Sequence, residues 1–193
     1  MQSEYFIVKL EQGSKEWLEW RHKGIGASDA PTVMGENRFE KPSNLMRQKR
    51  SPVKLNNQPN ERMALGTQLE PEARSLYISR TGNQVEPVCI QSSRYDWLRA
   101  SLDGLTLIGD AVVEIKCGAS VYRRVFEYRA VPDYYYGQVQ HILAITGLSS
   151  LDFWCYWPGS PAILLPVDRN DTYIEKLIQR ESEFWEGVIH GNS

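Results

Sequence analysis

The amino-acid sequence predicts a mixed α/β (α+β) domain with a central sheet flanked by helices, and three observations lead there. Toward both ends of the chain the apolar residues recur with the 3.6-residue period of amphipathic helices. In the middle the pattern changes to short β-branched runs bounded by turn residues: QVEPVCIQ, WLRAS, LDGLTLI and AVVEIKC. With 193 residues, 41% of them hydrophobic and 24% charged, the chain is long enough to bury one sizeable core, so a single domain over residues 1–193 is expected.

Taken in order, Ser14 can cap a helix carrying Trp17, Leu18 and Trp20, and a short helical turn follows Ser28 and ends at Gly35. Ser51 to Asn60 is polar and holds two prolines, which reads as a surface loop. A longer helix starts after Asn60, sets Leu65, Leu69 and Ala73 on one face and stops at Gly82, with Pro71 straining or kinking it just after Glu70. The four β-branched runs read as consecutive antiparallel strands. Helices near Ser120 to Arg129 and from Pro132 to Gly147 come next, then strands at LDFWCYW and AILLPV. A last amphipathic helix runs from Asp171 to His190, with Tyr173, Ile174, Leu177, Ile178, Trp185 and Val188 on its apolar stripe.

Composition excludes several classes. No window approaches the roughly 18 apolar residues of a membrane span, and the start of the chain lacks the basic-then-apolar order of a signal peptide, so a cytoplasmic protein is expected. Cys89, Cys117 and Cys155 are odd in number and far apart, which supports neither a disulfide framework nor a CxxC metal knuckle. The net charge of −2 gives no global attraction to a polyanion, but its distribution is uneven. Nine basic residues face five acidic ones between Ser14 and Lys54, Arg123, Arg124 and Arg129 form a second basic group, and beyond Pro166 six acids face three bases. Such asymmetry suits a protein that holds nucleic acid on one face, and equally suits ordinary solvated charges.

The sharpest local feature is Asp103 followed, after a short turn, by Glu114-Ile115-Lys116. If Gly109-Asp110 forms a two-residue hairpin loop of type II′, Asp103 lies opposite Lys116 and diagonal to Glu114, with all three side chains on one face and Ile115 on the other. Diagonal neighbours are about 7 to 8 Å apart, a span two carboxylates can close around one hard cation. Oxygen-only ligation favours magnesium or manganese over zinc. Such a cation could lower the pKa of a water and neutralise charge on a phosphoryl oxygen while Lys116 positions the water or stabilises the transition state, which is phosphodiester hydrolysis. A cross-strand salt bridge on a solvated sheet face is the competing reading of the same spacing.

Other residues are ambiguous alone. In GIGASD, Gly24 and Gly26 permit backbone geometries closed to other residues, Ser28 offers a hydroxyl and backbone N–H groups to an anion, and Arg21 could clamp a phosphate bidentately. Glu70 reads by itself as a surface helix acid. Gln138 shares a helical face with His141 and Ile142, and could simply bond to backbone. Tyrosines 134 to 136, Trp154 and Trp157 could stack on bases, or fill the core.

Five blocks in order, RHKGIGASD, LGTQLEPEA, ASLDG, VEIKC and YYGQVQHILAITG, together resemble the PD-(D/E)xK nuclease superfamily. Within it the chain is similar to the lambda-exonuclease and YqaJ-type viral recombinase family of phages and prophages, the phage alkaline exonucleases. The likeness runs from about Trp17 to Gly147. The motif's nominal Pro-Asp is Leu102-Asp103 here, which removes a proline and no ligand.

This resemblance implies a restriction-endonuclease-like core with a central mixed sheet. It implies a magnesium-dependent 5′-to-3′ double-strand-specific exodeoxyribonuclease that digests the 5′-phosphorylated strand to mononucleotides and leaves a 3′ overhang for single-strand-annealing recombination. Two Mg2+ per site are implied, with Mn2+ as a substitute, held by Asp103, Glu114 and the carbonyl of Ile115. Lys116, Glu114, Asp103, Glu70 and Gln138 would be the catalytic residues, Arg21, Ser28 and Ser101 the 5′-phosphate pocket, and Arg38 a contact to the duplex ahead. The implied partners are double-stranded DNA ends, a single-strand annealing protein and two further copies in a homotrimeric ring, with no membrane, in the cytoplasm of a bacterial host. A sequence-specific endonuclease on the same scaffold and a non-catalytic DNA-end-binding protein are the alternatives.

Overall fold

A computed structural model describes residues 4–53 and 61–191, so most of the loop expected up to Asn60 lies outside the described residues. The chain runs β1 (Tyr5–Val8), α1 (Lys15–His22), β2 (Ile25–Gly26), a 3-10 turn (Ala27–Asp29), α2 (Ala30–Val33), α3 (Pro42–Arg50) and α4 (Glu61–Thr81). It continues through β3 (Val85–Ser92), β4 (Leu98–Thr106), β5 (Val112–Cys117), α5 (Ala119–Tyr128), α6 (Asp133–Thr146), β6 (Ser150–Tyr156), β7 (Ile163–Asp168) and α7 (Asp171–His190). The expected antiparallel run is the β3–β4–β5 meander, with WLRAS and most of LDGLTLI fused into the one strand β4.

Helix ends follow local chemistry. The Ser14 hydroxyl accepts the Trp17 N–H at 3.1 Å and starts α1. Gly82 and Gly147 take positive φ just past α4 and α6, where a left-handed residue closes the last turn. Pro71 sits inside α4 without ending it. β1 and α3 have no counterpart in the expected element list, because YFIV is too short to show a period and PSNLMRQKR buries only Leu45.

One mixed sheet of seven strands has the order β1-β3-β4-β5-β6-β7, with β2 added to β4. All neighbours are antiparallel except β5 with β6 and β2 with β4. The parallel β5–β6 pair needs a long crossover, which α5 and α6 supply. Side chains alternate across the pleat, so Phe153 and Cys155 join the larger core under α6 and α7 while Trp154 and Tyr156 join a smaller one under α4. Trp154 is 1% exposed and donates its indole N–H to the Ala73 carbonyl, so it belongs to the core and is not a base-stacking surface. On α4, Ala73 is fully buried, but Leu65 is 40% exposed, so the expected apolar face is not covered along its whole length. On α7 the buried positions are Ile174, Leu177, Glu181 and Phe184, so a carboxylate stands inside the expected apolar stripe. Among the described residues no helix is long and apolar enough to cross a membrane.

That carboxylate pins α6. His141 is wholly buried, with Nδ1 at 2.7 Å from Glu181 Oε1 and Nε2 at 2.9 Å from the Arg99 carbonyl. Because Nε2 faces a carbonyl it must donate, so the second proton is shared between Nδ1 and Glu181. Burial works to lower the His141 pKa, but the Glu181 carboxylate outweighs it and the ring is held above its ordinary value. Removing one member of a buried pair strands the other. Glu181→Ala is therefore expected to lower unfolding stability by about 3 kcal/mol in a urea titration, and an unchanged midpoint would show that the pair contributes nothing.

Candidate active site

The site forms where β4 is shared. β3 runs along one edge of β4 for nearly its whole length, so β2 and β5 must both pair on the other edge. β2 takes Leu98 and Arg99, β5 takes Gly104 and Leu105, and the backbone between them is left without a neighbour. Ser101 and Asp103 sit in that notch.

A β-bulge sharpens it. The β3–β4 register shifts by one between Val88 opposite Leu102 and Glu86 opposite Leu105, placing Asp103 and Gly104 against Pro87, which has no N–H to give. Gly104 is required by space, because a Cβ there would lie 2.7 Å from Val113 Cγ1 and 2.8 Å from Val85 Cγ2. The expected hairpin register is corrected here. Thr106 N–H bonds the Ala111 carbonyl across a four-residue loop in which Gly109 takes φ 74°, and Gly104 pairs with Val113. Counting back one position sets Asp103 across from Glu114, not from Lys116. The slip is two residues, and a two-residue slip leaves every β5 side chain on the face expected for it.

Beyond Gly104 the β4–β5 ladder stops and side chains take over. Asp103 Oδ2 accepts the Ile115 N–H at 2.7 Å. Glu114, 1% exposed, receives the Lys116 ammonium at 2.5 Å and the Gln138 amide at 2.6 Å, both on Oε1. From the opposite face α4 brings Glu70, whose carboxylate is held by Arg74, and Arg74 Nε donates to the Asp103 carbonyl at 2.7 Å. The Tyr135 ring lies 4.7 Å from Lys116 Nζ.

Electrostatics make this a site that calls for positive charge. Burial, then the Asp103 carboxylate, push Glu114 up to about 7, against the pull of Lys116. Burial also raises Asp103, despite Lys116, the Ile115 N–H and Arg74, and burial with Asp103 raises Glu70. Burial works against the Lys116 charge, but the Glu114 carboxylate prevails and holds it as an ammonium. Glu114 Oε2 is buried with no hydrogen-bond partner among the described residues. An orphaned carboxylate oxygen beside a second desolvated carboxylate fits a hard divalent cation, to which Asp103, Glu114 and the Ile115 carbonyl could offer oxygens. No three His, Cys, Asp or Glu side chains among the described residues converge on one metal position, consistent with Glu70 being turned toward Arg74.

At the β2 end of the notch, Arg21 Nη2 donates to the Ser28 hydroxyl at 2.7 Å, and the Trp17 indole N–H donates to the Ser101 hydroxyl at 2.8 Å. The Arg21 guanidinium also stacks 4.6 Å from the Trp17 ring. Gly24 is needed for close approach, since its Cβ would lie 2.4 Å from the Trp97 carbonyl oxygen, whereas Gly26 has an ordinary extended backbone at φ −87° and room for a Cβ at van der Waals distance, 3.7 Å, from Arg21 and Asp29. The expectation of unusual backbone conformations at both glycines is thus replaced by one steric requirement. Arg38 lies between the Phe39 and Tyr134 rings, 4.6 and 4.8 Å from their centroids. All ten residues singled out from the sequence, Arg21, Ser28, Arg38, Glu70, Ser101, Asp103, Glu114, Ile115, Lys116 and Gln138, line one cleft of about 770 Å3.

Sequence reasoning missed four residues that hold these in place. Arg74 stands one helical turn after Glu70, a spacing that signals an ion pair. Trp17 stands one turn before Arg21. Asp29 closes the GIGASD block, accepting the Gly26 N–H at 3.0 Å and the Lys49 ammonium at 2.7 Å. Lys49 also donates to the Arg21 carbonyl at 3.2 Å, and no local pattern announces it.

A seven-stranded mixed sheet with Asp103 on one strand and Glu114 and Lys116 on the next defines a PD-(D/E)xK-like nuclease fold. Residues 16–149 match the YqaJ-like viral recombinase domain, and the chain belongs to that family. It is 26% identical to the YqaJ protein of Bacillus subtilis strain 168 over 98% of its own length, and spans 60% of that relative. The fold is similar to an alkaline exonuclease from Laribacter hongkongensis at TM-score 0.79 and 28% identity, covering 91% of this chain and 92% of that one. The same enzyme is known in complex with dAMP. A phage-related exonuclease from Haemophilus somnus 129PT shares the fold at TM-score 0.65 and 12% identity, covering 91% of this chain and 99% of the other.

The Asp29 network makes a pH-dependent prediction. Burial works to raise the Asp29 pKa, but Lys49 and Arg21 outweigh it and hold the carboxyl below its ordinary 3.8. A depressed pKa gives stability that is complete above the unfolded value and fades as pH falls through the folded one. Asp29→Asn should therefore cost about 1.5 to 3 kcal/mol at pH 7, and the difference from the parent chain should narrow in denaturant titrations below pH of about 4. A difference independent of pH would show that the charge is not involved.

Proposed function

We propose that this chain is a single nuclease domain, a magnesium-dependent 5′-to-3′ exonuclease that digests the 5′-phosphorylated strand of duplex DNA to mononucleotides and leaves a 3′ overhang. One observation carries the reading: the orphaned Glu114 oxygen beside Asp103, the Lys116 ammonium, and the Arg21–Ser28–Ser101 group share one cleft and one strand edge. Ser101 and Asp103 are two residues apart on β4, about 6.7 Å along a strand, on the scale of one nucleotide of backbone. An end phosphate held at the first and a scissile phosphate at the second would be separated by a single nucleotide. The dAMP complex of the Laribacter hongkongensis enzyme agrees with a mononucleotide product.

Each residue then has a task. A hard divalent cation held by Asp103, Glu114 and the Ile115 carbonyl would supply an acidified water and neutralise charge on the phosphoryl oxygens. Lys116 orients the attacking water and faces the charge that grows in the transition state. The Gln138 amide occupies Glu114 Oε1, which leaves Oε2 as the free donor. Arg74 ties Glu70 to the Asp103 backbone. Arg21 and Ser28 receive the terminal phosphate, for which a planar guanidinium is better suited than an ammonium. Mn2+ would replace Mg2+, two ions would occupy the full site, and Arg38 would contact the duplex ahead. A homotrimeric ring that works with a single-strand annealing protein in a bacterial cytoplasm completes the proposal.

The test is digestion of linear duplex with a 5′-phosphate on one strand only, each strand separately labelled, with covalently closed plasmid as control. Shortening of the phosphorylated strand alone is expected, and plasmid cutting would instead indicate an endonuclease. Lys116→Ala should lower the rate by about 10²- to 10³-fold while DNA binding in EDTA persists. Unchanged hydrolysis in that variant would refute the mechanism. Arg21→Ala should slow digestion of 5′-phosphorylated ends far more than of 5′-hydroxyl ends, and an equal effect on both would remove Arg21 from the pocket. Mg2+ should raise the melting temperature of the parent chain but not of Glu114→Gln, because a ligand stabilises only the state that binds it.

A further inference from the structure

The Arg123–Arg124–Arg129 group and the tyrosines opening α6 have no task in this chemistry, yet Arg124, Tyr134 and Tyr135 belong to one continuous feature. From Lys116, the Tyr135 ring lies 4.7 Å from Nζ and the Tyr134 ring 4.6 Å further on. Tyr134 is flanked by the guanidinium groups of Arg38 at 4.8 Å and Arg124 at 5.9 Å, and meets the edge of Phe39 at 6.0 Å. Arg124 reaches on to Tyr128, one turn later on α5, at 5.5 Å. The result is a strip of alternating cations and rings that leaves the cleft at Tyr134 and ends on the open face of α5.

Two properties separate this strip from core packing. Phe39 is 74% exposed and Tyr128 63%, so neither ring is there to exclude water from the interior. Neither Arg38 nor Arg124 is ion-paired with a carboxylate among the described residues, in contrast to Arg74 and Arg169. Exposed rings with unneutralised guanidiniums offer a stacking face and a phosphate contact at each step. A duplex hides the faces of its bases inside the stack, so the chemistry fits a strand whose bases are unpaired.

We propose that the Tyr134–Arg124–Tyr128 part of this strip, beyond Arg38, binds single-stranded DNA, and that its occupant during turnover is the strand that is not hydrolysed, as it separates from its partner at the cleft. The identity of that occupant rests on the exonuclease reading above; the binding itself does not. Unpaired bases stack on the exposed Tyr128 ring while Arg124, between it and Tyr134, meets the backbone. Holding the separated strand there keeps it from re-pairing at the cleft mouth.

The test is fluorescence anisotropy with a labelled 20-nucleotide single strand in EDTA, where nothing is hydrolysed. Tyr128→Ala should weaken binding about tenfold and Tyr128→Phe should retain it, since the ring face and not the hydroxyl does the work. Arg124→Ala should weaken binding and reduce the slope of log K against log salt by about 0.7. Affinity for blunt duplex should change much less in all three variants. Unchanged single-strand binding would overturn the proposal, as would an equal loss for duplex. So would a parent chain that sediments as an oligomer which Tyr128→Ala dissociates, because a second copy would then cover the strip. A chain that binds single strands in this way but never hydrolyses DNA would refute the exonuclease and leave the strip standing.

Discussion

The structure depends on one constraint at one strand edge. A β-strand has two edges, and β3 occupies one side of β4 almost completely. β2 and β5 must therefore divide the other side, and neither is long enough to fill it. Backbone groups left over in a sheet need partners. At this place the partner is a side chain, Asp103 Oδ2 on the Ile115 N–H, and the strands part around it. The gap gives two chemically different ends a common floor: Arg21 on α1 meets Ser28 just after β2, and Glu114 and Lys116 enter on β5.

Carboxylates so placed are costly, because burial and mutual repulsion disfavour their charge. Glu114 is pushed up to about 7 in consequence. The surroundings oppose that cost from both faces of the sheet, with Lys116 and Gln138 above and Arg74 below. The helices that deliver these groups are fixed independently of the site. α6 is pinned one turn beyond Gln138 by the buried His141–Glu181 pair, and α4 is pinned by the Trp154 indole bonded to the Ala73 carbonyl. Rigid supports of this kind let a polar cluster keep its geometry.

Much of this was legible in the residues. Helix ends at Gly82 and Gly147, the cap at Ser14 and the strand character of VVEIKC follow from turn chemistry and period, which are properties of a few consecutive residues. The five ordered blocks brought nine of the ten site residues to notice, Arg38 lying outside them, and all ten line one cleft. The register was less legible. Gly109 looked like the first residue of a two-residue turn, but the Thr106 hydroxyl, bonded to the Asp110 and Ala111 N–H groups, organises a four-residue loop instead. The conclusion about β5 survived because the error was an even number of residues. Leu65 had the spacing of a core residue and is exposed, since helical period reports which face is apolar but not which of its positions another element covers.

By itself the sequence determined the inventory: which side chains are available, the order in which they arrive, and the local elements that carry them. Only the tertiary structure decided how they meet. The bulge sets Asp103 and Gly104 against Pro87, and the notch follows from the lengths of β2 and β5. Lys49 reaches Asp29, and Tyr128 is strung to Arg38 through Tyr134 and Arg124. The physical reason is the range of the forces. Turn preference and hydrophobic period act over a few residues and are written locally, whereas strand register and helix docking sum many weak contacts between distant segments. Their outcome is fixed only when the whole core packs at once.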